Sequence, residues 1–194
     1  MNKKIIFNHT LFVLFVISAL NISGCAKPPT KEMAKAEKAL EDARQKEAHL
    51  YVPDVFKKAD DLLKKAKDLV INKKYKEAKN AAEETIRVSQ QAVEMIEQNK
   101  AKMKTEVIQL LEVTHKDLEE FKIMAAKAIK KRVFVSNEDI QKVIGKTEID
   151  LVNIKEKLEG GLVKQSYDDL KTVKEQLASQ KKIMESKITE KVKK

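Results

Sequence analysis

Apolar residues recur at alternating steps of three and four along most of the chain, which is the spacing of one face of an α-helix. The pattern begins at Met33 and is interrupted near Tyr51-Val52-Pro53. Because proline is tolerated in a first helical turn and Asp54 suits its positive end, a second helix is expected to start there. The apolar positions of these two predicted helices are Met33, Ala36, Leu40 and Ala43, then Phe56, Ala59, Leu63, Ala66 and Val70.

A long third helix is predicted over residues 75–131. Asn72-Lys73-Lys74 predicts the turn before it, because asparagine tolerates left-handed backbone conformations. At 1.5 Å per residue such a helix would be about 85 Å long, and an apolar stripe sustained over that length suggests coiled-coil-like pairing. The stripe changes phase between Ile96 and Val107, where Asn99 and Lys100 would take seam positions, so a break or stutter is expected there.

The C-terminal part predicts a second helical hairpin over residues 137–192. Ser136 and Asn137 are good N-cap residues for a fourth helix, and Gly160-Gly161 predicts its end. A fifth helical pattern follows and leads to a basic tail. The predicted fold class is therefore all-α, with elongated helical hairpins or an antiparallel coiled-coil-like bundle of about five helices and a long central helix.

Residues 1–24 have the pattern of a secretory signal peptide, with Lys3 and Lys4 ahead of an apolar run from Leu11 to Leu20. A membrane span needs about 20 apolar residues, so this run is short for one. We expect cleavage, with an uncleaved anchor as the alternative. The expected segments are the signal peptide (1–24), a lipidated Cys and Pro-rich spacer (25–31), an N-terminal hairpin with the long helix (32–132), and the C-terminal hairpin (137–192).

The run Ile22-Ser23-Gly24-Cys25 resembles the lipobox of bacterial lipoproteins. The resemblance implies a diacylglycerol on the sulfur of Cys25, cleavage before it, and an acyl chain on its new amino group, with no other cofactor. Two or three acyl chains would hold the protein firmly on a membrane. It also implies location in the cell envelope, and in a cell with two membranes the outer one, facing the periplasm, because Ala26 rather than Asp follows.

Beyond Cys25 the chain resembles a family of bacterial lipoproteins that share domain of unknown function 4398. The matching positions are Pro28 and Pro29, the Ala-rich stretch with Ala36, Ala39 and Ala43, the break at Tyr51 and Pro53, and Tyr75, Ala78 and Ala82. Val52 replaces the usual alanine, and Asn72-Lys73-Lys74 replaces the more usual Gly-Asp type of link. The resemblance covers roughly residues 25–95. It implies an envelope location, a helical hairpin similar to tetratricopeptide units, and no known catalytic residues.

The amino-acid composition argues against two further classes of function, nucleic-acid binding and multi-cysteine metal binding. The 194 residues include 40 Lys and Arg against 30 Asp and Glu, but only three of the basic residues are arginines. Lysines interspersed with acids are typical of solvated helix faces, and arginine is the better ligand for phosphates and base edges, so nucleic-acid binding is not expected. A single cysteine excludes an internal disulfide and any multi-cysteine metal site.

No catalytic residues and no metal site are predicted. Gly145-Lys146-Thr147 resembles the end of a phosphate-binding loop, but Ile140 stands where that loop needs a glycine. Glu112-x-x-His115 resembles half of a di-iron ligand set, which needs a second such pair and two further glutamates. The other mature histidine, His49, has no glutamate three positions before it. We therefore expect a protein that is not an enzyme and has no small-molecule substrate.

Two functions remain open. The leading hypothesis is a non-enzymatic, membrane-anchored helical scaffold or protein-interaction module with an unidentified envelope protein as partner. The alternative is a tether to the cell wall or to an anionic membrane surface through the basic C-terminal end, with Lys187, Lys191, Lys193 and Lys194 as the candidate basic contact patch. The same lysines could also serve only to keep the protein soluble.

Overall fold

The computed structural model describes residues 27–133 and 135–192, which contain helices and no strand. Within these ranges the helices are α1 (Thr30–Gln45), α2 (Ala48–Tyr51), α3 (Pro53–Ile71), α4 (Tyr75–Lys130), α5 (Asn137–Glu159) and α6 (Val163–Val192). The predicted all-α class is confirmed, as is the long central helix, which is α4 with 56 residues. The prediction gave about five helices, and the additional one is the single turn α2.

The first helix ends earlier than the apolar pattern indicated. α1 stops at Gln45, and Glu47 takes a left-handed conformation with φ of 66°. The turn α2 follows and buries Tyr51. α3 then begins at Pro53, as expected, because the missing N–H of proline has no helical partner to lose in a first turn.

The predicted turn between α3 and α4 is present, but its left-handed residue is Lys73 (φ 57°) and not Asn72. The side-chain amide of Asn72 donates instead to the Asp68 carbonyl at 2.8 Å, which keeps Asn72 in the helical turn. The N–H of Lys74 donates back to the Leu69 carbonyl at 2.9 Å. This bond is typical of a Schellman motif, which satisfies the last carbonyls of a helix and requires one left-handed residue.

The described chain divides into two compact units. The first unit contains residues 27–43 and 55–90, that is, α1, most of α3 and the start of α4. Its core is built mainly of small side chains. The buried members of this core are Ala36, Leu40, Ala59, Leu63, Ala66, Ala81, Ala82 and Val88.

The second unit contains residues 44–54 and the described residues from 91 onward. α5 and α6 pack along each other in it. The Ser136 hydroxyl caps α5 by accepting the Asp139 N–H at 3.2 Å, and Gly161 takes the left-handed conformation (φ 82°) that separates α5 from α6. The largest fully buried side chains of this unit are Phe121, Leu118, Leu151, Ile154, Leu170 and Leu177.

The prediction gave a break or a stutter near Lys100. The break is absent, since α4 is helical without interruption from Tyr75 to Lys130. The stripe passes through Ala92, Ile96, Lys100 and Met103 at steps of four, four and three, and the two consecutive steps of four are a stutter. Lys100 is half-buried, and its Nζ lies 5.3 Å from the centroid of the Tyr51 ring. A lysine can fill a seam position because its alkyl stem packs like an apolar chain while its ammonium finds an aromatic face.

Candidate functional site

The residues predicted for signal processing and lipidation lie outside the described residues. They are Ile22, Ser23, Gly24 and Cys25. The described chain begins at Lys27, and α1 begins at Thr30, five positions after Cys25. Five residues of fully extended chain span at most about 18 Å, so the predicted lipidation site lies close to the start of α1 whatever the conformation of the link.

The start of α1 is fixed by the two prolines before it. The Pro29 carbonyl accepts the N–H of Met33 at 2.9 Å, which is the first bond of a regular α-helical turn. Proline fits this position because its fixed φ is compatible with a helix start and it has no N–H to leave unpaired. Pro29 itself is buried, so the chain enters α1 as part of the packed first unit.

A groove of about 380 Å³ opens between the start of α1 and the end of α3, both in the first unit. We call it the N-terminal groove. Ile71, at its edge, is 77 % exposed, the highest exposure among the large hydrophobic residues of the described chain. The groove is lined by Pro28, Pro29, Thr30, Met33, Ala34, Glu37, Lys67, Val70 and Ile71.

Charges surround this groove unevenly. Lys67 pairs with Glu37 at 2.8 Å, so these two largely neutralise each other. Four further exposed lysines, which we call the flanking lysines, lie within three positions of a groove residue in the sequence and form no ion pair within the described residues. They are Lys27, Lys31, Lys73 and Lys74.

In the second unit, two lysines tie helices together. Lys181 of α6 contacts Asp117 at 3.0 Å and Glu120 at 2.6 Å on α4, and the hydrogen bonds that its ammonium donates to these carboxylates, Glu120 first, raise the pKa of Lys181. Lys122 of α4 similarly has its pKa raised by Glu119 and by a 2.8 Å contact to Glu148 of α5. Both lysines therefore connect one helix to another.

Exposed hydrophobic side chains of the second unit offer a different kind of surface. Ile149 is 62 % exposed and Val152 is 56 % exposed, and both lie on α5. Residues three apart on a helix are neighbours on one face, so these two side chains form a small apolar area opposite the buried face of α5. On α4, Ile123 and Ile129 are also exposed.

The motifs considered for chemistry lie on ordinary helix surfaces. Lys146, which would be the phosphate-binding lysine, lies inside α5 and contacts Gln176 at 2.9 Å and Asp150 at 3.5 Å. Glu112 and His115 are both exposed on α4. Within the described residues, no group of three His, Cys, Asp or Glu side chains is arranged to hold a metal ion.

The basic C-terminal end is described only in part. Lys187 is exposed on α6 and forms no ion pair within the described part of the chain. Lys191 lies in the last turn of α6, and Lys193 and Lys194 lie outside the described residues. The candidate basic contact patch therefore remains a prediction from the sequence.

With the helices placed, comparison with known protein families identifies the first part of the chain. Residues 31–108 match the model of Domain of unknown function (DUF4398). The match covers α1 to α3 and the first part of α4, about two fifths of the chain, and confirms the family resemblance inferred from the sequence. It extends beyond residue 95, where the predicted resemblance ended. No curated protein and no solved structure matches the chain.

The DUF4398 match includes most of the N-terminal groove but assigns it no function. This groove was not predicted from the sequence, because Ile71 lies next to the apolar position Val70 and falls outside the regular spacing of α3. The signal that could have indicated it is an apolar pair at a helix end, followed by Asn72 and two lysines. Within the described residues, no helix combines the length and apolar content that crossing a membrane requires.

Proposed function

We propose that the protein is a non-enzymatic, lipid-anchored envelope lipoprotein that acts as a helical scaffold or protein-interaction module. The observation that carries this proposal is the lipobox-like run ending at Cys25, which a short link joins to a helix beginning at Thr30. An acylated Cys25 would hold the helical units beside a membrane. The DUF4398 match supports the comparison with lipoproteins of that family over residues 31–108.

The proposed location is the envelope, and in cells with two membranes the periplasmic face of the outer membrane. The lipid on Cys25 is the proposed modification, with no other cofactor. The hairpin of α3 and the start of α4 is proposed to be similar to a tetratricopeptide unit, a helical pair commonly used to bind proteins. Such a scaffold requires neither nucleic acid nor a small-molecule substrate.

The apolar area formed by Ile149 and Val152 on α5 supports a protein partner. An isolated exposed hydrophobic residue is common on protein surfaces, but adjacent ones mark contact surfaces more often. Both residues are more than half exposed, so they contribute little to the folding of the second unit. A partner protein with a complementary apolar groove would remove them from water.

Lipidation can be tested with the full-length precursor expressed in a bacterial host that processes lipoproteins. The mature N-terminal peptide should begin at Cys25 and carry the mass of the diacylglycerol and N-acyl groups. The Cys25→Ser variant should keep its signal peptide and lose the lipid mass. A wild-type chain with an unmodified Cys25 thiol would refute the proposed anchoring.

The interaction role can be tested by placing a photo-crosslinking amino acid at Ile149 or Val152 in living cells. A discrete adduct with one envelope protein is expected at both positions. Gln141, which is exposed on the same helix and lies about 12 Å along its axis from Ile149, provides a control position away from this apolar area and should yield no such adduct. Equal crosslinking from all three positions, or none from any, would argue against a specific partner on this face.

The alternative function is a tether through the basic C-terminal end. Lys187 favours it, because this lysine is exposed and forms no ion pair with the described residues, and such a lysine is available to anionic polymers or lipids. Replacing the four lysines of the candidate basic contact patch by glutamine should then abolish sedimentation with purified cell walls. Unchanged sedimentation would dismiss the tether and leave the scaffold proposal intact.

A further inference from the structure

We propose that the N-terminal groove and its flanking lysines form a membrane-contact surface, which seats on the anionic headgroup region of the bilayer that holds Cys25. This inference rests on the proposed lipidation. It adds a protein surface that touches lipid, so that the first unit is oriented at the membrane and not merely attached to it by a chain.

The length of the link brings the groove to the bilayer. Pro28, which lines the groove, is three positions after Cys25, so their Cα atoms are at most about 11 Å apart. The headgroup region on each side of a bilayer is about 5–8 Å thick. With the acyl chains of Cys25 in the hydrocarbon, the groove can be separated from the lipid surface by no more than a few solvent layers.

The groove is apolar in the part that would meet lipid. Ile71 is 77 % exposed and stands beside Val70 at the end of α3, while Met33 and the two prolines form the α1 side. Pro29 is buried and Met33 and Val70 are half-buried, so the apolar surface left in water belongs mainly to Ile71 and Pro28. A headgroup–acyl boundary would remove this surface from water. The exposed side chain of Ile71 contributes little to folding, because backbone hydrogen bonds already close the end of α3.

The charges near the groove match an anionic lipid surface. The flanking lysines are exposed and form no ion pair with any residue that the structure describes, whereas the carboxylates of this end are largely engaged: Glu37 pairs with Lys67, and Glu32 pairs with Lys79 at 3.4 Å. Asp68 is exposed and offsets one of these lysines. Lysines beside an apolar edge are the arrangement by which interfacial surfaces bind anionic lipids.

The contact can be measured on the intact lipoprotein in vesicles of phosphatidylethanolamine and phosphatidylglycerol. Lipidation blocks the Cys25 sulfur, so an Ile71→Cys variant has one free thiol that can carry a pyrene label. Nitroxide groups on the lipid headgroups should quench most of its emission. Lys57→Cys is the matched control, because Lys57 is exposed on the same helix and lies about 21 Å along its axis from Ile71. Its label should be quenched little.

The possible results of this experiment distinguish a failure of the proposed lipidation from a failure of the membrane-contact surface. A chain that takes two labels and fails to float with vesicles is not lipidated, which removes the anchor and the membrane-contact surface together. A singly labelled, floating chain with equal quenching at 71 and 57 overturns the contact surface alone. Pyrene excimer emission without lipid quenching at 71 would show that a second copy covers the groove, which also overturns it.

The charge contribution has its own test in the labelled Ile71→Cys chain. Adding Lys73→Glu and Lys74→Glu should reduce quenching in vesicles that contain phosphatidylglycerol and leave it unchanged in phosphatidylcholine vesicles. Helix content measured by circular dichroism checks that these exposed substitutions leave the fold intact. Equal quenching with and without the substitutions in both vesicle types would contradict the role of the flanking lysines.

Discussion

The two units of the chain are both helical, but they fill their cores in opposite ways. In the first unit the buried core cluster consists mostly of alanines, and Val88 is its largest fully buried side chain. Larger residues such as Phe56, Leu62 and Leu69 are only partly buried and pack around it. In the second unit, large side chains are fully buried, among them Phe121 and Leu118 on α4, each about 1 % exposed.

The difference shows two ways to hold helices together. Alanine allows helix backbones to approach closely and has the highest helix propensity, but each alanine removes little apolar surface from water. Large aliphatic and aromatic side chains remove much more surface but must interdigitate without voids. The first unit should therefore be sensitive to enlarging a buried residue, and the second to truncating one.

The largest expected effect is truncation of Phe121 in the second unit. Phe121→Ala should lower the free energy of unfolding by about 3–5 kcal/mol, since it removes a buried ring and leaves a cavity among α4, α5 and α6. Val88→Ala is the matching truncation in the first unit and should cost only about 2 kcal/mol, because fewer methyl groups are lost. Denaturant unfolding followed by circular dichroism measures both. Equal losses would contradict the proposed difference between the cores.

Enlarging a buried alanine should have the next largest effect. Ala66 of α3 is fully buried in the first unit, so Ala66→Leu must displace neighbouring helices and should cost about 1–3 kcal/mol. Ala101→Leu on the exposed face of α4 is the control and should change stability by less than about 0.5 kcal/mol. If Ala66→Leu unfolds at the same denaturant concentration as the wild type, the alanine core is not tightly packed.

Much of this architecture could be predicted from the sequence because helical spacing and caps are local signals. The cap at Ser136 and the start at Pro53 follow from the chemistry of one or two residues. The break that was one of the two alternatives predicted near Lys100 is absent, because lysine counts as polar in a hydrophobicity pattern although its alkyl stem can pack in the seam. Whether its stem packs in the seam depends on Tyr51, which is distant in sequence and whose position no local pattern gives.

The candidate site likewise has one part that the sequence predicts and one part that only the fold reveals. The lipobox-like run ending at Cys25 is a local motif and was accessible from the sequence, where it remains a prediction. The N-terminal groove was not accessible, because it requires the start of α1 to lie beside the end of α3. That juxtaposition depends on the antiparallel pairing of the two helices, which the Lys67–Glu37 contact marks in the structure.

A smaller effect concerns two buried serines, one in each unit. The Ser89 hydroxyl is fully buried and has no hydrogen-bond partner among the described residues, whereas the Ser166 hydroxyl donates to the Leu162 carbonyl at 2.9 Å. An unsatisfied buried hydroxyl is costly and alanine has the higher helix propensity, so Ser89→Ala should raise the free energy of unfolding by about 1 kcal/mol. Ser166→Ala should bring no such gain, since it removes a formed bond. Thermal and denaturant unfolding measure the stability of both variants. An equal gain in stability for both would show that the missing hydrogen bond of Ser89 does not lower stability.

The smallest expected effect tests the ion pairs that join helices in the second unit. Lys181 contacts Glu120 and Asp117 and its pKa is raised, so its charged form is favoured in the folded state. Lys181→Met should lower the free energy of unfolding by about 0.5–1 kcal/mol at neutral pH. This stabilisation is complete below the ordinary lysine pKa of about 10.4 and is lost as the pH rises through the higher folded value. The difference between wild type and variant should therefore shrink above that pH. Lys102→Met replaces an exposed lysine of α4 that forms no ion pair within the described residues, and is the control that should show no measurable pH-dependent difference. A Lys181→Met deficit that stayed constant into the alkaline range would assign the effect to the alkyl stem of Lys181 and not to its ion pairs with Glu120 and Asp117.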